Sequence, residues 1–182
     1  MRKVILAVAV TLDGYIEGPQ GEFDWCFTDR DYGMNDFLKN IDAVFYGRKS
    51  YELMMKWEDG NPFGKIKSYV FSNTWSTPQE GIELISGNLE DKVKALKNTA
   101  GRNIWLFGGA SLTTAFVNSG LLDEVWVSVH PLLLGGGKPL FSGIDGRVQL
   151  KLLETKAYES GLVSLRYDVV HEAGRQPTTN NQ

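Results

Sequence analysis

The chain has 182 residues, enough for one domain with a sizeable core, and its composition of 42% hydrophobic and 23% charged residues is typical of a globular protein. No apolar run approaches the ~20 residues of a membrane-spanning helix, and a net charge of −3 without a Lys/Arg cluster argues against nucleic acid as a partner. The single cysteine, Cys26, excludes an internal disulfide and predicts a reducing, cytoplasmic setting.

The first predicted element is an apolar strand over residues 3–10. It shows no polar alternation, so we place it in the middle of a sheet that is covered on both faces. A long loop over residues 13–27 follows, in which turn residues precede three aromatic side chains. We predict that this loop is a lid, with Trp25 and Phe27 over the substrate. The alternative is that its rings only plug the edge of the core.

An amphipathic helix comes next in the chain. Its buried face is predicted to consist of Met34, Phe37, Leu38 and Ile41. Upstream of these residues, Thr28 and Asp31 match the Thr-x-x-Asp pattern of a capping box, which predicts that the helix begins there.

Three later strands, over residues 43–46, 68–72 and 104–107, end at glycine or polar residues. The first and third run directly into helices, the first of which extends to about Trp57. Backbone N–H groups at a helix start are unpaired and the helix dipole adds positive charge, so such a junction suits a phosphate. An ordinary tight turn is the alternative. The residues at these strand ends are Gly47, Arg48, Lys49, Ser50, Ser72, Asn73, Gly108, Gly109, Ala110 and Ser111.

The remaining segments complete an α/β pattern. They are a strand over 82–85, a helix from Asn88, a strand over 123–130, a flexible glycine-rich loop over 135–139, and a hairpin over 149–158 and 162–170. We therefore predict one domain over residues 1–170, with a mixed, mostly parallel sheet, an antiparallel C-terminal hairpin and helices on both faces. A polar, disordered tail over 171–182 would follow.

Standard site motifs are missing from this sequence. No G-x-G-x-x-G opens a helix, and Gly137-Lys138 is followed by Pro139 where a P-loop needs Ser or Thr. Two histidines and one cysteine disfavour both a zinc site and a Ser-His-Asp triad, and we predict no metal. The polar residues at the strand ends remain as candidates for a site. Because the carboxyl ends of parallel strands share one edge of a sheet, they predict a site for a nucleotide cofactor there.

At this point the chain resembles known reductases. The segment Gly-Arg-Lys-Ser-Tyr-Glu over 47–52 resembles the Gly-Arg-x-Thr/Ser-x-Glu segment of dihydrofolate reductases, and Phe-Gly-Gly over 107–109 resembles their glycine turn. Further segments resemble the reductase domain at the C-terminal end of bifunctional riboflavin-biosynthesis proteins, namely Leu12-Asp13-Gly14, Asp123-Glu124-Val125 and residues 131–141. The resemblance spans residues 2–170 and implies a dihydrofolate-reductase-like three-layer fold.

The resemblance implies an NADPH-dependent reductase. Arg48 would supply charge and Ser50 a hydroxyl to a cofactor phosphate, and Ser72 with Asn73 would lie near the adenosine ribose and its 2′-phosphate. The residues implied over the pyrophosphate are Gly108, Gly109, Ala110 and Ser111. Three alternatives stay open: Arg48 and Lys49 as plain surface charges, the Ser-Asn segment as only a turn, and NADH in place of NADPH. The last arises because dihydrofolate reductases often carry a basic residue where this chain has Ala-Ser.

Two carboxylates are candidates for substrate protonation. Dihydrofolate reductases use a carboxylate on the first helix, and Asp31 falls near that position, where an apolar pocket would raise its pKa. Asp13 leaves the first strand where the nicotinamide would end, although an Asp-Gly turn explains it equally. Two family patterns are absent: the arginines expected between the second and third strands, and the Asn-x-x-Pro-Trp lid.

We therefore predict hydride transfer to a small heterocyclic or sugar-derived substrate. A riboflavin-pathway 5-amino-6-(5-phosphoribosylamino)uracil reductase is the first interpretation and a dihydrofolate reductase the second. A nucleotide-binding module without turnover and a structural oligomer remain as other classes. Because the family often dimerises and residues 132–134 are apolar, we predict a homodimer without nucleic-acid or membrane partners.

Overall fold

The computed structural model describes residues 1–56, 63, 66–75 and 81–171. Its strands are β1 (Val4–Thr11), β2 (Tyr15–Glu17), β3 (Ile41–Gly47), β4 (Lys67–Phe71), β5 (Ile82–Ile85), β6 (Asn103–Gly108), β7 (Glu124–His130), β8 (Lys138–Pro139), β9 (Leu150–Ala157) and β10 (Val163–Val169). Its helices are α1 (Met34–Lys39), α2 (Arg48–Met54), α3 (Leu89–Lys97) and α4 (Ala110–Asn118). The predicted helix end at Trp57 and the predicted tail from residue 172 onward lie outside the described residues.

Eight strands form one sheet in the order β5-β4-β3-β6-β1-β7-β10-β9. All neighbours are parallel except the pairs that β10 makes with β7 and with β9. The predicted mostly parallel sheet with a C-terminal antiparallel hairpin is therefore confirmed. The carboxyl ends of β1, β3, β4, β6 and β7 lie along one edge, here called the carboxyl edge.

Helices cover both faces of the sheet, so the three-layer arrangement is confirmed. On face A, side chains of α3 and α4 pack with strand residues such as Leu6, Phe45 and Leu106. On face B, side chains of α1 and α2 pack with Val44, Tyr46 and Trp105. Because β1 is buried by both layers, its sequence is apolar without alternation, as predicted.

The first helix differs from the prediction. It begins at Met34, and Thr28 does not cap it. The backbone at Tyr32 (φ 50°) and Gly33 (φ 91°) is left-handed and interrupts any helix that starts earlier. Ile41, which was placed on the buried helix face, is the first residue of β3.

The glycine-rich loop after β7 also differs, because part of it is a strand. β8 pairs antiparallel with β2, and the two form a small second sheet beside the carboxyl edge. Gly137 precedes β8 with φ +132°, and a Cβ there would lie 2.1 Å from the backbone oxygen of Glu17. This close approach of two backbones requires glycine.

We expect Gly137→Ala to lower the free energy of unfolding by about 1–3 kcal/mol, because the methyl group must push β2 and β8 apart. Gly136→Ala is the matched control, since nothing lies within 4 Å of a Cβ at that position. Urea denaturation of both variants measures the difference. Equal stability of the two variants would contradict the close approach.

Candidate cofactor site

The glycines that end β3 and β6 meet at the carboxyl edge. Gly108 pairs in register with Tyr46, next to Gly47, and a Cβ on Gly47 would lie 3.5 Å from the Gly108 oxygen. The Gly108–Gly109 peptide bond is cis. A Cβ on Gly109 would lie 3.0 Å from the hydroxyl of Ser50. The predicted glycine and serine residues of the two strand–helix junctions therefore lie next to one another. Because glycine has no side chain, backbone atoms are exposed there.

Both helices that start here lack a side-chain cap. α2 begins at Arg48 after Gly47, and α4 begins at Ala110 after Gly109, and within the described residues neither N-cap has a side chain that accepts from a first-turn N–H group. Neither first turn contains an acidic residue. Two helix N-termini with free donors and partial positive charge, separated only by glycine, form a cradle that suits adjacent phosphates.

Arg48 lies between this cradle and the end of β4. Its Nε is 2.7 Å from Glu52 Oε1, its Nη1 is 3.4 Å from Thr74 Oγ1, and its guanidinium carbon is 5.7 Å from the centre of the Trp75 ring. The side chain is 42% exposed, so the guanidinium remains accessible to a ligand. Lys49 beside it is exposed and makes no ion pair with a described residue. Two cations therefore stand at one end of the cradle.

The residues after β4 form a turn that is held by its own side chains. The hydroxyl of Ser72 accepts hydrogen bonds from the N–H groups of Thr74 (3.3 Å) and Trp75 (3.1 Å). Asn73 Oδ1 accepts from the N–H of Gly87 at 3.0 Å. The turn stands next to Arg48, so it fits both the predicted ribose contact and the simpler interpretation as a turn.

An aromatic cluster of Phe37, Trp105 and Trp126 packs on face B of the sheet. β1 presents small side chains there, Ala7 and Ala9, and Ala9 is half-buried. Phe37 of α1 packs edge-on against Trp105 (5.6 Å between ring centres) and Trp126 (5.0 Å). Trp105 is 3% exposed and belongs to the core of face B, whereas Phe37 and Trp126 are half-buried.

Asp13 holds two loops together. Its carboxylate accepts from the Thr11 hydroxyl (2.6 Å) and from the N–H groups of Leu134 (3.1 Å) and Gly135 (2.8 Å). The hydrogen bond from Thr11 and those from the backbone lower the pKa of Asp13. The side chain is exposed, and its geometry joins the end of β1 to the loop after β7.

Asp31 is exposed just before α1. Its carboxylate accepts from the N–H of Gly33 at 3.0 Å and of Asn35 at 2.8 Å. Its surroundings are therefore the helix start and solvent, and the apolar pocket expected around this carboxylate is not seen. A role for Asp31 in protonation stays a prediction.

The two aromatic residues of the predicted lid pack against His130, at the end of β7. The Trp25 and Phe27 ring centres lie 5.2 and 4.9 Å from that of the imidazole, both edge-on. This contact was not predicted, because His130 was considered only as a metal or triad residue. Its position at a strand carboxyl end was the one available signal.

No group of three or more His, Cys, Asp and Glu side chains within the described residues is arranged to hold a metal ion. In the same part of the chain, no helix combines the length and apolar character needed to cross a membrane.

Comparison with known proteins identifies a matching family and a similar protein. The family model of the RibD C-terminal domain matches residues 2–164. The chain is similar to the uncharacterized protein YyaP of Bacillus subtilis (strain 168), with 45% identity over 177 residues that cover 91% of this chain and 94% of YyaP.

Two solved structures share the fold. A proposed riboflavin biosynthesis protein from Shewanella sp. PV-4 superposes with a TM-score of 0.84 at 24% identity, covering 93% of this chain and 99% of that one. A dihydrofolate reductase from Enterococcus faecalis, complexed with NADP(H) and RAB-propyl, superposes with a TM-score of 0.66 at 17% identity, covering 92% and 94%. These similarities confirm the predicted fold class.

Proposed function

This chain belongs to the RibD C-terminal domain family, and we propose that it is an NADPH-dependent reductase that transfers hydride to a small heterocyclic substrate. The observation that carries the proposal is the cradle of two uncapped helix starts, with Arg48 at its end. The backbone N–H groups of α2 and α4 would hold the pyrophosphate, and Ser50 would add a hydroxyl donor. Arg48, Lys49 and the Ser72–Thr74 turn would hold the 2′-phosphate and its ribose.

NADPH, when bound, supplies the hydride. The task of the chain is to place a flat substrate against the cofactor and to exclude water. The half-buried rings of Phe37 and Trp126 would contact the substrate, and the loop with Trp25 and Phe27 would close over it.

The riboflavin-pathway aminouracil is our first substrate class and dihydrofolate the second. The assay that tests the proposal follows NADPH oxidation with each compound in turn, with NADH as the comparison cofactor. Oxidation that requires the aminouracil supports the first class, and oxidation that requires dihydrofolate supports the second. NADPH binding without oxidation by either compound would favour a nucleotide-binding module.

We propose Asp31 as the source of the substrate proton, because the resemblance to dihydrofolate reductases implies a carboxylate near the first helix and Asp31 stands just before α1. Asp31→Asn should lower turnover about 10²- to 10⁴-fold, the usual contribution of general acid catalysis. NADPH affinity should not change. Asp36→Asn, an exposed carboxylate within α1, is the matched control. Wild-type turnover by the Asp31 variant would remove it from the mechanism.

We also propose that the protein is a homodimer. β9 is an edge strand of the sheet, and three of its leucines, Leu150, Leu152 and Leu153, are 43–52% exposed. Within residues 132–134, the apolar segment that predicts an interface, only Leu133 is largely exposed, at 71%. Sedimentation at two concentrations tests this, and a strict monomer at both would contradict it.

A further inference from the structure

His130 uses both ring nitrogens although its side chain is almost wholly buried. The residue is 3% exposed at the carboxyl end of β7. Its Nε2 lies 3.1 Å from the backbone nitrogen of Phe27, and its Nδ1 lies 3.0 Å from the carbonyl oxygen of Ser128. A backbone N–H can only donate and a carbonyl can only accept. The imidazole is therefore neutral, with its proton on Nδ1 and an acceptor lone pair on Nε2.

The loop that donates this hydrogen bond is anchored at a second point. The Tyr32 hydroxyl lies 3.1 Å from Ser160 Oγ and donates to Asp29 at 2.7 Å, and its ring packs edge-on against Tyr158 at 4.9 Å. Ser160 and Tyr158 belong to the turn between β9 and β10. The segment of residues 25–33, here called the latch loop, is thus fixed to the turn of the hairpin at one end and to His130 at the other.

We propose that His130 is a positioning residue that holds the latch loop at the carboxyl end of β7 through an acceptor nitrogen that only the neutral imidazole offers. A protonated ring would present an N–H to the N–H of Phe27, and the hydrogen bond would become a repulsion. The loop continues directly into α1, whose Phe37 packs against Trp105 and Trp126. Release of Phe27 would therefore free the segment that leads into α1.

Among the described residues, no charged neighbour of His130 forms an ion pair with its imidazole. The titratable and charged side chains on the elements around it are Asp13 after β1, Asp24, Cys26, Asp29 and Arg30 on the loop, and Glu159 at the hairpin turn. Arg30 lies 3.4 Å from Asp29. Burial lowers the pKa of His130 below its usual value of about 6.5, so the neutral, latched form predominates at neutral pH.

The test is residue-resolved amide hydrogen exchange of the full-length protein. His130→Leu removes the acceptor, whereas His130→Gln keeps an oxygen that can accept from Phe27. We expect exchange at the Phe27 amide to rise about 5- to 10-fold in the Leu variant, as loss of one net hydrogen bond predicts, and to stay near the wild-type rate in the Gln variant. The amide of Leu106, in the centre of the sheet, is the internal control and should not change.

Equal protection of Phe27 in the Leu variant and the wild type would overturn the proposal. So would a uniform acceleration at Phe27 and Leu106, because that pattern reports global destabilisation. If His130→Leu does not fold, the pH dependence of exchange in the wild type tests the proposal. After correction for intrinsic exchange, Phe27 protection should fall at the pH where the ring protons of His130 titrate by NMR, and constant protection through that titration would contradict the latch.

The consequence for catalysis rests on the proposed function. His130→Leu should raise the KM for the heterocyclic substrate, leave NADPH affinity unchanged and change kcat less than KM. The exchange measurement needs neither cofactor nor turnover, so failure of the latch and failure of the reductase proposal are distinguishable.

Discussion

Replacing Asp123 by alanine should lower the free energy of unfolding by about 3–5 kcal/mol, the usual cost of removing one partner of a buried ion pair. The ammonium of Lys97 lies 2.7 and 2.8 Å from the two carboxylate oxygens of Asp123, and the two side chains are only 6% and 15% exposed. The same carboxylate accepts from the backbone N–H of Val4 at 2.7 Å. Its removal leaves a buried charge and a backbone donor without a partner.

Urea denaturation of two further variants tests this cause. Lys97→Met combined with Asp123→Leu removes both charges and should recover the part of the loss that comes from the unpaired ammonium, while the cost of the unpaired Val4 N–H remains. Glu90→Ala breaks an exposed pair, Lys94–Glu90 at 2.9 Å, and should cost less than about 1 kcal/mol. A loss at Asp123→Ala no larger than at Glu90→Ala would contradict the buried pair as an anchor of β1.

Replacing Arg48 by alanine should weaken NADPH binding by about 1.5–3 kcal/mol, which is roughly 10- to 150-fold. The guanidinium stands at the end of the cradle with 42% of its side chain exposed, where a 2′-phosphate would gain a charge-assisted bidentate contact. NADH lacks that phosphate, so its affinity should change much less. Quenching of tryptophan fluorescence measures both affinities, since Trp75 lies beside Arg48.

Lys39→Ala is the matched control for Arg48. Lys39 also pairs with an acid on its own helix, Asp36 at 2.7 Å, but it lies on α1. Its removal should leave both affinities unchanged. If Arg48→Ala weakens NADPH and NADH equally, the arginine contacts a part that both cofactors share. If neither affinity changes, the cofactor phosphates bind elsewhere.

The sequence predicts well which strand ends lie next to one another, because the strand–glycine–helix junctions are local. A strand, a glycine and a helix start are neighbours in the chain, and the parallel rule brings the ends of β3, β4 and β6 to one edge. Gly47 and Gly108 are indeed adjacent there. The start of α1 was wrong because a Thr-x-x-Asp pattern is short, and it does not reveal the left-handed backbone at Tyr32 and Gly33 that delays the helix.

The contacts that complete the site are not local, and patterns within the sequence do not encode them. His130 accepts from a residue 103 positions away, and Asp13 binds N–H groups 121 and 122 positions away. The pairing of β2 with β8 is of the same kind. Each depends on where two loops meet after the sheet has formed. Asp13 and His130 could therefore be noticed as residues, but their partners could not.

The most direct test of the proposed cofactor site is a titration of the amide NMR spectrum with NADPH. We predict saturable shifts in the micromolar range that concentrate on residues 47–50, 72–74 and 108–111, while the amides of β9, at the far edge of the sheet, stay unchanged. No shift at these three segments, or saturable shifts confined to another surface, would contradict the cradle as the cofactor site and with it the proposed reductase.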